Sequence, residues 1–217
     1  MDNFNFFKNL YLTEDGHTSI LKRILSTNGT HGYKDNFLRL FFEKIGISYD
    51  FEKKWSVTRK KSGERGKVDL IIHNDDLSTV VVIENKIKNA DDQPSQLYRY
   101  WRNEIYKPLL KSDKYPKEDL ISKKVNENKE ITDHYKLIFL TSDGSKKMSK
   151  ESKKRPDSKD GKYNGFPEIL NFEVTEISYK KDIKYWLTDC KNVVSRDESL
   201  RLFLILEQYI EWIESLK

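Results

Sequence analysis

Two carboxylates, a lysine and a glutamine stand close together in the middle of the chain. They lie in Gly66-Lys67-Val68-Asp69-Leu70, in Val80-Val81-Val82-Ile83-Glu84-Asn85-Lys86 and in Gln96-Leu97-Tyr98-Arg99-Tyr100. These residue types suit magnesium-dependent cleavage of a phosphodiester. Carboxylates brought together raise one another's pKa unless a cation binds between them. Magnesium is a fitting cation, a hard ion that takes oxygen ligands at about 2.0–2.1 Å and keeps several waters. Asp69, Glu84 and the backbone carbonyl of Asn85 are the candidate ligands, and manganese is expected to substitute. Such a metal acidifies bound water and stabilises charge on phosphoryl oxygens. Lys86 is the candidate for orienting the water or neutralising developing charge. Burial would lower its pKa and carboxylates would raise it, a balance the sequence leaves open. The plainer reading is an ordinary Glu-x-Lys ion pair, worth about 0–1 kcal/mol at a surface. A surface pair, however, has no reason to follow four consecutive apolar residues.

Strands are needed to hold these groups. Both apolar runs are rich in β-branched residues, and His73-Asn74-Asp75-Asp76-Leu77-Ser78 between them supplies turn chemistry, so they are expected to pair as a hairpin. Side chains alternate along a strand, which puts Glu84 and Lys86 on one face and the Asn85 side chain on the other. Asp69 joins the first face if the register allows. Gln96 and Tyr100 stand four apart and share a helix face, with Pro94-Ser95 at the expected helix start. Leu97, Tyr100 and Trp101 are equally suited to packing that helix.

These motifs resemble the PD-(D/E)xK nuclease superfamily. Val68-Asp69 matches the Pro-Asp position, Glu84-Asn85-Lys86 the (D/E)xK, and Gln96 to Tyr100 the Gln-x-x-x-Tyr element of its recombination-nuclease-like members. The string from Ile83 to Leu97 is similar to one bacterial branch, in which a glutamate on the first helix lies near the metal. Glu14 corresponds to that glutamate and is a candidate further ligand, although an acid beside a Thr13 cap is also ordinary helix chemistry. The branch usually carries Asp-Pro where this chain has Ser26-Thr27, a change that alters a turn and leaves the metal residues untouched. The resemblance implies a restriction-endonuclease-like α/β core, αβββαβ, with a mixed central sheet flanked by helices and additional N- and C-terminal helices. It implies a metal-dependent nuclease, most readily a deoxyribonuclease, in defence against foreign DNA or in DNA repair. The alternative is a catalytically inactive module of the same fold that binds nucleic acid or a protein partner.

The rest of the chain agrees. Its 217 residues suit one domain spanning 1–217. Helices are expected near Glu14, around Lys34–Ile45 with Phe37, Leu38, Phe41, Phe42 and Ile45 as its stripe, and near Tyr179–Cys190 and Asp197–Ser215. Further strands are expected at Phe51–Thr58, Tyr135–Leu140 and Phe172–Ile177. Cys190 is the single cysteine, which excludes an internal disulfide, and its expected role is packing near Trp186 and Leu187. No apolar run approaches the roughly 20 residues that span a bilayer. The start, Met1-Asp2-Asn3-Phe4-Asn5, lacks a basic, apolar leader, so a cytoplasmic protein without membrane contact is expected. The net charge of +5 favours an anionic partner. Lys60, Lys61, Arg65 and Lys67 precede Asp69, and Lys146 and Lys147 open a basic segment, 142–165, expected to be a mobile loop. These lysines and arginines are candidates for phosphate contacts, and Tyr100 for stacking on a base. Cutting both strands of a duplex favours a homodimer, and a regulatory protein partner stays open. His31 before Gly32 is a candidate either to approach the site or to serve as an ordinary turn residue. Phosphate-binding glycine loops, His-Glu-x-x-His and Gly-x-Ser-x-Gly are absent from the sequence.

Overall fold

Every residue of the strand Val80–Lys86 is buried, as expected of a strand with protein on both faces. The computed structural model describes residues 4–10, 12–60, 67–87, 91–157 and 161–216. It builds one five-stranded sheet in the order β1 (Trp55–Lys60), β2 (Val68–Asn74), β3 (Val80–Lys86), β4 (Tyr135–Thr141) and β5 (Val174–Ser178). The first three strands are antiparallel and β3, β4 and β5 run parallel. The expected hairpin is present, with Leu70 opposite Ile83 and His73 opposite Val80. Return to a parallel strand requires a long crossover, which residues 87–134 supply.

The principal helices are α1 (Phe6–Asn9), α2 (Glu14–Leu25), α3 (Asn36–Ile45), α4 (Gln96–Tyr100), α5 (Lys184–Val193) and α6 (Leu200–Glu214). Alternation sorts the strand residues between two cores. Leu70, Ile72, Val81, Ile83, Ile138 and Leu140 pack with α2, α3, α5 and α6. Ile71, Val80, Val82, Leu137 and Phe139 face the other way, against Leu97, Tyr100, Trp101 and Ile105. Glu84 and Lys86 continue the second series and Asn85 the first. Cys190 is buried in the first core with Trp186 and Leu187, as expected.

Local chemistry moved several boundaries. The first strand begins at Trp55 rather than Phe51, because the Asp50 carboxylate accepts the Glu52 amide at 2.9 Å and the Asp50 carbonyl accepts the Trp55 indole at 3.0 Å. These bonds curl the expected start of the strand into a turn. α3 begins at Asn36 rather than Lys34, which has φ 48°, a left-handed value that a right-handed helix cannot contain. α4 continues through a π-helical stretch, Trp101–Tyr106, into Lys107–Lys111. Pro108 has no N–H for the helix, and the widened turn ahead of it takes up the mismatch. The last expected strand shifts to Val174–Ser178, and Tyr179–Ile183 winds as a π turn ahead of α5. The segment expected as a mobile basic loop is anchored where it is described. The Ser149 amide donates to Asp92 at 2.6 Å, Glu151 O accepts the Ser95 amide at 2.7 Å, and Lys154 bridges to Ile169. Main-chain hydrogen bonds supply these anchors, and a scan for apolar residues does not see them. Among the described residues no helix is long and apolar enough to cross a membrane.

Candidate active site

The hairpin register decides the site. Leu70 opposes Ile83, so the next pair outward is Asp69 and Glu84, on one face of the sheet. Asp69, Glu84 and Lys86 are all buried. Asp69 Oδ2 accepts the Asn85 amide at 2.9 Å, and Lys86 Nζ lies 2.7 Å from Glu84 Oε1. Glu14 is the first residue of α2, whose start is capped by the Thr13 hydroxyl on the Gly16 amide at 3.2 Å. Its carboxyl comes into the field of Lys86 and Asp69. The second oxygens of both Glu14 and Glu84 are buried without a hydrogen-bond partner.

Three carboxyl groups therefore lie in the field of the Lys86 ammonium, which pairs with Glu84. Burial, then the Asp69 charge, pushes Glu84 up to about 8, and the Lys86 ammonium does not offset this. Burial also raises Asp69, against the Asn85 amide and Lys86, and raises Glu14. For Lys86 burial works downward, but Glu84, Glu14 and Asp69 outweigh it and hold the amine above the usual lysine value. The balance left open by the sequence falls on the charged side. The amine stays protonated, and Glu84 keeps its proton up to about pH 8.

Gln96 and Tyr100 act from behind the site. Gln96 Nε2 donates to the Tyr100 hydroxyl at 2.8 Å and Gln96 Oε1 accepts the Gln93 amide at 3.4 Å, while the Tyr100 hydroxyl donates to the Lys67 carbonyl. This chain ties α4 to the start of β2, two residues before Asp69. Tyr100 is 1 % exposed, which corrects the expectation that its ring stacks on a base. Tyr98, Trp101 and Tyr106 are buried too, because they face the second core. The Asn85 side chain points to the opposite face, giving its amide to Thr18 Oγ1 at 3.0 Å and the Glu14 carbonyl at 3.4 Å.

The basic flank is divided. Asp15 Oδ1 accepts from Lys67 and lies 2.7 Å from Arg59 Nη2. These bonds hold the Asp15 carboxyl below its usual range. Both cations also act on Asp69, so they border the acidic cluster. Lys146 is 3.7 Å from Asp92 and Lys147 is 2.6 Å from Glu176. Lys61, Arg65 and the side chain of Lys60 lie outside the described residues. His31 serves its turn, with Nε2 2.9 Å from the Ser26 carbonyl and Nδ1 accepting the Tyr33 amide at 3.1 Å.

Among the described residues no three acidic, histidine or cysteine side chains form a ready-made metal cage. The donor set still fits a hard divalent ion. It would hold such an ion through carboxylate and carbonyl oxygens, two of them buried and unpartnered, and its three carboxyl groups outnumber the Lys86 ammonium paired with Glu84.

The description of the PD-(D/E)XK nuclease superfamily matches residues 4–210. The chain belongs to this superfamily. Membership makes phosphodiester hydrolysis its general chemistry, and PD-(D/E)XK nucleases typically use divalent metal ions. The mixed five-stranded sheet flanked by helices is the restriction-endonuclease-like α/β fold of a PD-(D/E)XK nuclease. No curated protein and no solved structure matches the chain significantly. Two features of this PD-(D/E)XK nuclease escaped sequence reasoning. Asp15 as the holder of Arg59 and Lys67 had only its place beside Glu14 as a signal, and Thr18 as the partner of Asn85 had none.

Proposed function

We propose that the chain hydrolyses phosphodiester bonds of DNA with magnesium, or manganese in its place. The observation that carries this reading is the cluster of Glu14, Asp69 and Glu84 around the single amine of Lys86, with two buried carboxylate oxygens unpartnered. Asp69, Glu84 and the Asn85 carbonyl would hold the metal, with Glu14 as a further ligand. When bound, the metal supplies charge stabilisation at the phosphoryl group and a more acidic water. Lys86, kept protonated by the acids around it, presents an ammonium to the negative charge that grows on the scissile phosphate. The Asn85 amide fixes the Asp69 carboxylate at 2.9 Å, so this ligand is oriented before substrate arrives. Gln96 acts through Tyr100 and the Lys67 carbonyl, which steadies the strand carrying Asp69. Lys67 and Arg59 offer phosphate contacts beside the acids, with Lys60, Lys61, Arg65, Lys146 and Lys147 as further candidates along the basic segments. Backbone contacts of this kind position a duplex without reading its sequence.

Cleavage of supercoiled, linear and single-stranded DNA and of RNA, each with magnesium, manganese or chelator, tests the reading. The expected result is metal-dependent DNA cutting that Glu84→Ala and Lys86→Ala both abolish. Equal cutting by the variants would overturn the assignment of the site. Cutting of RNA alone would overturn the substrate.

A further inference from the structure

Behind the sheet, on the face opposite Glu84, five polar side chains are sunk among apolar ones. His17, Thr18, Asn85, Tyr179 and Tyr209 are each no more than 1 % exposed. Two hydrogen bonds meet on α2. Asn85 donates to Thr18 Oγ1 at 3.0 Å. Tyr209 Oη meets His17 Nδ1 at 2.9 Å, and His17 adjoins Thr18, so β3 and α6 are both tied to the first turns of α2. Tyr179 packs edge-on against His17 with ring centroids 5.9 Å apart, and its buried hydroxyl has no hydrogen-bond partner among the described residues. The His17 ring is further clamped by Trp212, with centroids 4.1 Å apart.

Core packing alone does not call for this arrangement. Phenylalanine would fill the same space without a buried hydroxyl to satisfy, and buried polar groups impose one geometry on whatever they join. The elements joined here are the ones that carry the acids. Thr18 stands one turn after Glu14 on α2, and Asn85 lies between Glu84 and Lys86 on β3. Tyr209 brings in α6, which lies outside the αβββαβ core.

We propose that Tyr209 and His17 are positioning residues of the nuclease site: their bond, together with that of Asn85 to Thr18, sets where α2 places Glu14 relative to Glu84 and Asp69. The inference rests on the metal reading given above. It makes the last helix part of the support of the site, since truncating Tyr209 to phenylalanine leaves every acid in the chain and removes only the hydroxyl bonded to His17.

A double-substitution cycle tests it, with manganese binding measured by calorimetry on the full chain for the natural protein, Tyr209→Phe, Glu14→Gln and the double variant. Amide exchange of α2 in chelator is recorded alongside. Tyr209→Phe is expected to weaken manganese binding about tenfold, the usual cost of losing a group that orients a ligand, and to speed exchange in the first turns of α2. In the Glu14→Gln background the same substitution is expected to change affinity by less than about twofold, because the ligand it misplaces is gone. If Tyr209→Phe fails to fold, His17→Gln breaks the same bond from the side of α2 and enters the cycle instead. Equal losses in both backgrounds would reduce Tyr209 to core packing and overturn the proposal, as would unchanged affinity and exchange in the single variant. Failure of the natural protein to bind manganese would overturn the metal reading and this inference with it, and it is seen before any substitution is made.

Discussion

On the proposed reading Glu84 is asked to be two things, a neutral acid when no cation is near and a ligand when one is. An unfolded glutamate titrates near 4.5, whereas burial and Asp69 push Glu84 up to about 8 in the fold. Between these values the folded chain binds the extra proton. The stability that a neutral Glu84 contributes is therefore complete below pH 4.5 and is lost as pH rises through about 8. In chelator the urea midpoint is expected to fall from about pH 5.5 to about pH 8.5, and Glu84→Gln to flatten that fall. An unchanged slope in the variant would place the charge penalty elsewhere. The same titration predicts that manganese binding releases protons and tightens as pH rises through this range, which calorimetry in buffers of different ionisation enthalpy can read. Lys86 is the only ammonium paired with the cluster among the described residues, 2.7 Å from Glu84. Lys86→Met is expected to slow single-turnover cleavage on the order of 10²-fold or more. A loss smaller than tenfold, roughly, would demote the amine to charge balance.

At the scale of elements, the first turn of α2 and the start of β2 decide how well the acids are held. Thr13 caps α2 through the Gly16 amide at 3.2 Å, and Glu14 is the next residue. Thr13→Ala is expected to cost about 1 kcal/mol of stability and to raise the manganese concentration needed for half-maximal cutting. A stability loss with no change in metal requirement would separate the cap from the site. Tyr100 ties α4 to the Lys67 carbonyl, so Tyr100→Phe leaves that carbonyl and the Gln96 amide without their partner. The expected loss is about 1–3 kcal/mol in chemical denaturation. Much of this scale was legible in advance. The valine-rich strand, the hairpin turn and the helical stripe of Phe37, Leu38, Phe41 and Phe42 carry their own period. The start of β1 was not, because the bonds from Asp50 to Glu52 and Trp55 outbid the strand preference of Phe51.

For the whole molecule, charge placement matters more than the net value of +5. Arg59 and Lys67 border the acids but are held by Asp15, so on the proposed reading a DNA phosphate would compete with that carboxylate for them. Asp15→Asn is expected to tighten binding of a short duplex in chelator several-fold, since exposed pairs of this kind are worth only about 0–1 kcal/mol. Lys67→Ala is expected to lower the slope of log affinity against log salt by about 1. Lys147→Ala should lower it less, because Lys147 already pairs with Glu176 at 2.6 Å. An equal fall for both lysines would show that the duplex runs across the far basic segment as well.

The sequence by itself determined the chemistry and the order of elements. Asp69, Glu84 and Lys86 stood out as candidates because they flank apolar runs, and Gln96 because it opens a helical pattern; a period of two puts Glu84 and Lys86 on one face whatever the rest of the chain does. Glu14 was visible as an acid beside a helix cap, with no means of knowing which strand the helix would meet. Only the tertiary structure decided the register that sets Asp69 across from Glu84 and the descent of α2 that brings Glu14 into their field. It also decided the burial that turns Tyr100 from a surface ring into a tie beneath the site. Each of these depends on contacts between residues far apart in the chain, such as Asn85 with Thr18 and His17 with Tyr209. Local propensity and spacing carry no record of such meetings, because they arise when the two cores close on opposite faces of the sheet.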